Sequence, residues 1–75
     1  MIVTGEDVVL LRRCKMAAKG LSVSSIIDEK LKNGVENRKD LLILFETCYH
    51  SLVSVIDIDL EVRLSSRIKS LMKTF

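Results

Sequence analysis

Three carboxylates stand at alternate positions of the stretch IDIDLEV, residues 56–62: Asp57, Asp59 and Glu61. Such a cluster could hold a divalent cation or divide the work of a general acid and a general base. A calcium loop of the D-x-D-x-D-G type needs a glycine and a distal bidentate acid, and neither stands in register here. Paired catalytic carboxylates need a pocket that raises the pKa of one of them; these three sit where a helix would need caps and acidic first-turn residues. His50 stands alone beside Tyr49, and Cys48, two positions away, would face elsewhere on a helix. Cys14 and Cys48 form no CxxC pair, and with His50 they are too few to hold a metal. No glycine-rich phosphate loop is present. The sequence therefore predicts a non-enzymatic protein with no catalytic, cofactor-binding or metal-ligating residues and no small-molecule substrate.

The basic residues are the other chemistry on offer. Net charge is only +2, but it is segregated. Residues 8–27 carry Arg12, Arg13, Lys15 and Lys19 and no acid; residues 28–61 carry twice as many acids as bases; residues 62–75 carry Arg63, Arg67, Lys69 and Lys73 and no acid. Arg12, Lys15 and Lys19 fall on one side of a helix, and Arg63 and Arg67 are one turn apart. Arg12, Arg13, Lys15, Lys19, Arg63 and Arg67 are thus the candidate contacts for nucleic acid or an acidic partner. Solvated helix faces are the plainer reading of the same residues. Aromatic residues are only Phe45, Tyr49 and Phe75, too few for stacking on single strands. The stretch KMAAKGLSVSSIIDEKL, residues 15–31, has the glycine turn of a DNA-binding helix-turn-helix. However, Lys15 and Glu29 fall where that motif wants apolar residues, and Asp28 and Glu29 carry the wrong sign for a DNA groove.

The elements that would position these residues are four helices, at about 6–19, 22–33, 38–56 and 60–74. Thr4 or Gly5 can cap the first, whose face is Val8, Leu11, Cys14 and Ala18, with Glu6 and Asp7 at its positive end. Ser22 opens the second, whose apolar stripe is Val23, Ile26, Ile27 and Leu31. Gly20 and Gly34 each follow a lysine-bearing last turn, as a left-handed C-cap favours. Asn37 caps the third, with Asp40 three residues on. From Leu44 to Met72 an apolar residue recurs every fourth position. Four residues overshoot a helical turn by about 40°, so over this length one straight helix could not aim them all at one neighbour. A break within IDIDLEV resolves this, with Asp57 or Asp59 as N-cap of the fourth helix; an extended strand is the lesser alternative, since Met1–Val3 is its only β-like companion.

The 75 residues suffice for one domain, and 48% of them are hydrophobic, with a mean hydropathy of +0.28. That is ample apolar surface for so small a core, and the excess implies an interface, most simply a homodimer. Leu44, Phe45, Cys48, Leu52, Leu60, Leu64, Ile68, Leu71 and Met72 are the expected core or dimer face. No apolar run is long enough to span a membrane. The N-terminal MIVTGEDVV lacks the basic region of a signal peptide, and two unpaired cysteines suit a reducing compartment, so a cytoplasmic location is expected.

From Ser22 onward the chain resembles the AriR/YmgB family of small enterobacterial regulators, through IIDEKLKNG, NRKDLLILF and DLEVRLSSRIKSLM, about two-thirds of its length. LLRRC (residues 10–14) and DLLILFETCYHSL (residues 40–52) are similar to the Hha/YmoA family of nucleoid-associated modulators. The spacing between those two segments is about five residues longer than in that family, and its aromatic C-terminal end is missing. Both resemblances imply a small helical bacterial regulator acting through protein partners, and the first implies a dimer; neither implies a residue-level site. The expectation is an all-α, single-domain, dimeric protein that modulates gene expression or signalling by binding a regulatory protein. Direct DNA binding by basic faces of the first and fourth helices is one alternative; a small chaperone or assembly factor of a larger complex is another.

Overall fold

A local competition decides each helix boundary: orphan backbone groups must be satisfied by a side chain, a turn or water. The computed structural model describes residues 3–17, 21–52 and 57–73. Helix α1 (Gly5–Ala17) is started by Thr4. Thr4 Oγ1 accepts the Asp7 N–H at 3.1 Å while Asp7 Oδ2 accepts the Thr4 N–H at 3.2 Å, a reciprocal capping box with aspartate in place of glutamate. Helix α2 (Leu21–Asn33) starts one residue earlier than the serine expected to cap it, so Ser22 lies inside the first turn. Its other end closes as the sequence predicts. Gly34 adopts φ +85°, and its N–H donates to the Lys30 carbonyl at 2.8 Å, the left-handed cap that a Cβ would strain. Val35, next in the chain, turns into the core.

Helix α3 (Arg38–His50) is capped by Asn37, whose Oδ1 accepts the Asp40 N–H at 2.9 Å. It stops six residues short of the expected end at 56. Ser51 is the reason: its N–H reaches the carbonyls of Thr47 and Cys48, its Oγ caps the Cys48 carbonyl at 2.7 Å, and Leu52 N–H turns back to Tyr49. Helix α4 (Ile58–Met72) starts two residues before the expected Leu60, because Asp57 is the cap that forms, its Oδ1 accepting the Leu60 N–H at 3.1 Å. Residues 57–62 are therefore a cap and the opening of a helix, and the strand reading fails there; no strand occurs among the described residues. Gly20, Ile56, Ala18, Lys19 and Phe75 lie outside the described residues.

α1 and α3 form the centre: each packs on the other three helices, α3 and α4 make the most extensive pair, and the backbones of α2 and α4 do not approach closely. Phe45 is the largest fully buried side chain. Around it lie Leu10, Leu11 and Cys14 of α1, Ile27 of α2, Leu41, Leu44 and Cys48 of α3, and Leu60, Leu64 and Leu71 of α4. Leu52 and Ile68 are half-buried against this core. Met72, expected on the same face, is 58% exposed, as the drift of a four-residue step along α4 requires. Ile26, expected on the stripe of α2, is likewise exposed. The radius of gyration, 11.4 Å, matches the roughly 11 Å of a compact chain of this length. The apolar faces of α3 and α4 are thus consumed inside one chain. No helix among the described residues is long and apolar enough to cross a membrane.

Candidate functional site

Lys19 lies outside the described residues, and the other five candidate basic residues do not form one surface. Three of them, Arg13, Arg63 and Arg67, join α1 to α4. Arg13 on α1 projects at the N-terminus of α4, donating from Nη2 to Asp57 Oδ2 at 2.7 Å and from Nη1 to Asp59 Oδ2 at 3.0 Å. The planar guanidinium spans both carboxylates, one terminal nitrogen to each. Asp59 also accepts from Arg63 Nε at 2.9 Å, and Arg63 stands 3.9 Å from Glu6 across the seam. Arg13 holds the carboxyls of both Asp57 and Asp59 below the usual carboxylate range, helped at Asp57 by the Leu60 N–H and at Asp59 by Arg63. The two aspartates raise the pKa of Arg13 in turn. Carboxylates held ionised in this way have no proton to donate and little basicity, so Asp57 and Asp59 act as caps and ion-pair partners. Glu61, the third carboxylate, accepts from the Tyr49 hydroxyl at 3.3 Å and ties α3 to α4.

Deeper in the same seam, Arg67 forms a two-pronged pair with Asp7: Nε to Oδ1 at 2.8 Å and Nη2 to Oδ2 at 3.0 Å. Asp7 is 1% exposed, the only buried charged side chain among the described residues. Its oxygens are shared between the α1 cap and the α4 arginine. Sequence reasoning gave Asp7 only a place near a helix dipole; the T-x-x-D spacing from Thr4 was the available signal that it is anchored. A groove of about 430 Å³ opens over this pair, lined by Glu6, Val62, Ser66 and Ser70 among others.

Arg12 and Lys15 belong to a different place, the groove between α1 and α2. Lys15 Nζ bonds Asp28 Oδ1 across it at 2.6 Å, while Arg12 makes no ion pair among the described residues. Met16, Ser24, Leu31 and Lys32 complete this groove, of about 660 Å³. Met16 is 89% exposed. On the other side of α2, a groove of about 540 Å³ runs along α3, with Val23 and Ile43 as its apolar part and Glu46 and His50 at its rim.

Cys14 and Cys48 are both free thiols, fully buried in the core. Contact with Cys14, together with burial, pushes the Cys48 thiol far up, so it is a packing group and no nucleophile at neutral pH. Among the described residues no three His, Cys, Asp or Glu side chains come together as a metal site. No family model, curated protein or solved structure matches the chain. The likeness to the AriR/YmgB and Hha/YmoA families therefore rests on the residues quoted above.

Proposed function

We propose that this protein is a non-enzymatic protein–protein interaction module that modulates gene expression or signalling through a partner regulator, and that it forms a homodimer. The observation that carries this reading is the apolar surface left over after the core closes, gathered into grooves on both sides of α2: Met16 and Leu31 on one, Val23 and Ile43 on the other. Val9, Ile58, Val62 and Met72 add further exposed apolar area on α1 and α4. Such surface favours docking of another protein. Direct phosphate contact is less well supported, because Arg13, Arg63 and Arg67 are already paired with acids of the same chain. The regulatory setting rests on the family resemblances.

Sedimentation of the purified chain and titration with duplex DNA, each at about 50 and 200 mM salt, test the reading. Self-association that persists across that range supports apolar docking. Saturable DNA binding that collapses with salt, and disappears in a variant with Arg12, Arg13 and Lys15 all changed to alanine, would replace it with direct DNA binding.

A further inference from the structure

The groove between α1 and α2 differs from the other two in the sign of its rim and the character of its lining. Arg12, Lys15 and Lys32 surround it, and Asp28 is the one acid. Its apolar lining is Leu31, half-buried at the base, and Met16, which projects almost wholly into solvent beside it. An exposed methionine is easy to repack, since the unbranched thioether adapts to a partner's shape. The Lys15–Asp28 bridge that crosses the groove is exposed on both sides, 37% and 57%, so exchanging Asp28 for another carboxylate costs little. From Ser24 to Lys32 the α2 wall runs about 12 Å, a little over two helical turns. That length accommodates anchors at i, i+3 or i+4, and i+7 of a helix laid between two others.

We propose that this groove docks an acidic amphipathic helix of a partner protein, with apolar residues on Met16 and Leu31 and carboxylates meeting Arg12, Lys15 and Lys32. The proposal rests on the interaction-module reading and deepens it. Charge complementarity chooses the occupant. The groove along α3, rimmed by Glu46 and His50, offers no such cationic border. Opposite charge would steer the encounter and fix the register, and the apolar lining would supply most of the affinity.

The test uses the full chain with methyl-labelled methionine. Met16 reports on the groove, and Met72, exposed on α4, is the control within the same molecule. The probe is a synthetic amphipathic helix with leucines at i, i+4 and i+7 flanked by glutamates; its twin carries lysines instead. The expected result is a saturable shift of the Met16 methyl without movement of Met72, and binding of the lysine twin roughly tenfold weaker or less detectable still. The double variant Arg12→Glu/Lys32→Glu, at surface positions that leave the core untouched, should reverse the preference between the twins. The proposal is overturned if Met16 stays still up to about 1 mM peptide, if both twins bind alike, or if Met72 moves with Met16. It is also overturned if Met16 shifts with protein concentration alone, which would give the groove to a second copy, or if a DNA duplex displaces the peptide from it. Peptide failure with salt-insensitive self-association intact removes the groove assignment only; failure of both removes the interaction-module reading as well.

Discussion

At the scale of single residues, Asp7 and Arg67 are unequal partners. Asp7 is buried and cannot reach water, whereas Arg67 keeps 28% of its side chain exposed and can swing outward when released. Arg67→Met should therefore strand a buried carboxylate and cost about 3 kcal/mol of stability. Asp7→Asn keeps an acceptor for the Thr4 N–H and should cost about 1 kcal/mol. Urea denaturation of both variants and of the double variant measures the asymmetry; equal losses would show that Asp7 is not confined as described. A second expectation concerns acid. Asp57 and Asp59 have folded pKa values depressed below their ordinary 3.8. The stabilisation they contribute is complete well above that value and is lost as pH falls through the depressed folded values. The melting temperature of the native chain should therefore fall between about pH 5 and 2, and Arg13→Gln should flatten that decline while lowering the plateau at neutral pH. These pairings were not legible in the sequence, because Arg13 and Asp57 are separated by 44 positions and Asp7 and Arg67 by 60. Charge type and helix face can be read locally; which acid a given arginine meets depends on how helices distant in sequence pack.

At the scale of elements, local chemistry was more informative. Asn37 and Asp57 occupy the boundaries their side chains favour, and Gly34 the one its missing Cβ allows, since a cap needs only its own backbone within a few residues. The end of α3 was misplaced for a related reason. The apolar series from Leu44 continues past Ser51 without interruption, and the serine that stops the helix is a common residue whose capping of a C-terminal carbonyl leaves no pattern in the hydropathy. Gly34→Ala offers a clean measurement. Nothing lies within 4 Å of the added Cβ, so the cost comes from the left-handed backbone alone. It should amount to about 1 kcal/mol, read as a shift of the denaturation midpoint with an unchanged slope. A much larger loss would mean that the α2–α3 turn has tertiary constraints beyond its backbone angle.

At the scale of the whole molecule, an all-α single domain was evident from periodicity, and its core on α3 and α4 was recovered for Leu44, Phe45, Cys48, Leu60, Leu64 and Leu71. The use of that face was not. The sequence offered it equally to a core or a dimer, and only the packing of α1 across α3 and α4 shows that a single chain consumes it. Surface available to another protein therefore lies elsewhere, around α2 and along the outer sides of α1 and α4. The proposed self-association should accordingly be weakened by charged substitutions at exposed positions such as Ile43 or Val62 while the melting temperature stays within a few degrees of the parent, as sedimentation and circular dichroism would register.

The arginine links between α1 and α4 also bear on the kinetics of folding. The ionic partners of α1 lie on α4, 44 and 60 positions away, so closing these contacts carries a larger loop-closure cost than the pairing of neighbouring helices. They should be missing from the rate-limiting ensemble and present only in the finished fold. Weakening them should quicken unfolding and leave the folding limb of a stopped-flow chevron almost unmoved. The α1–α4 clasp would then govern how long a folded molecule lasts, and the apolar pairing of the inner helices how fast it is made.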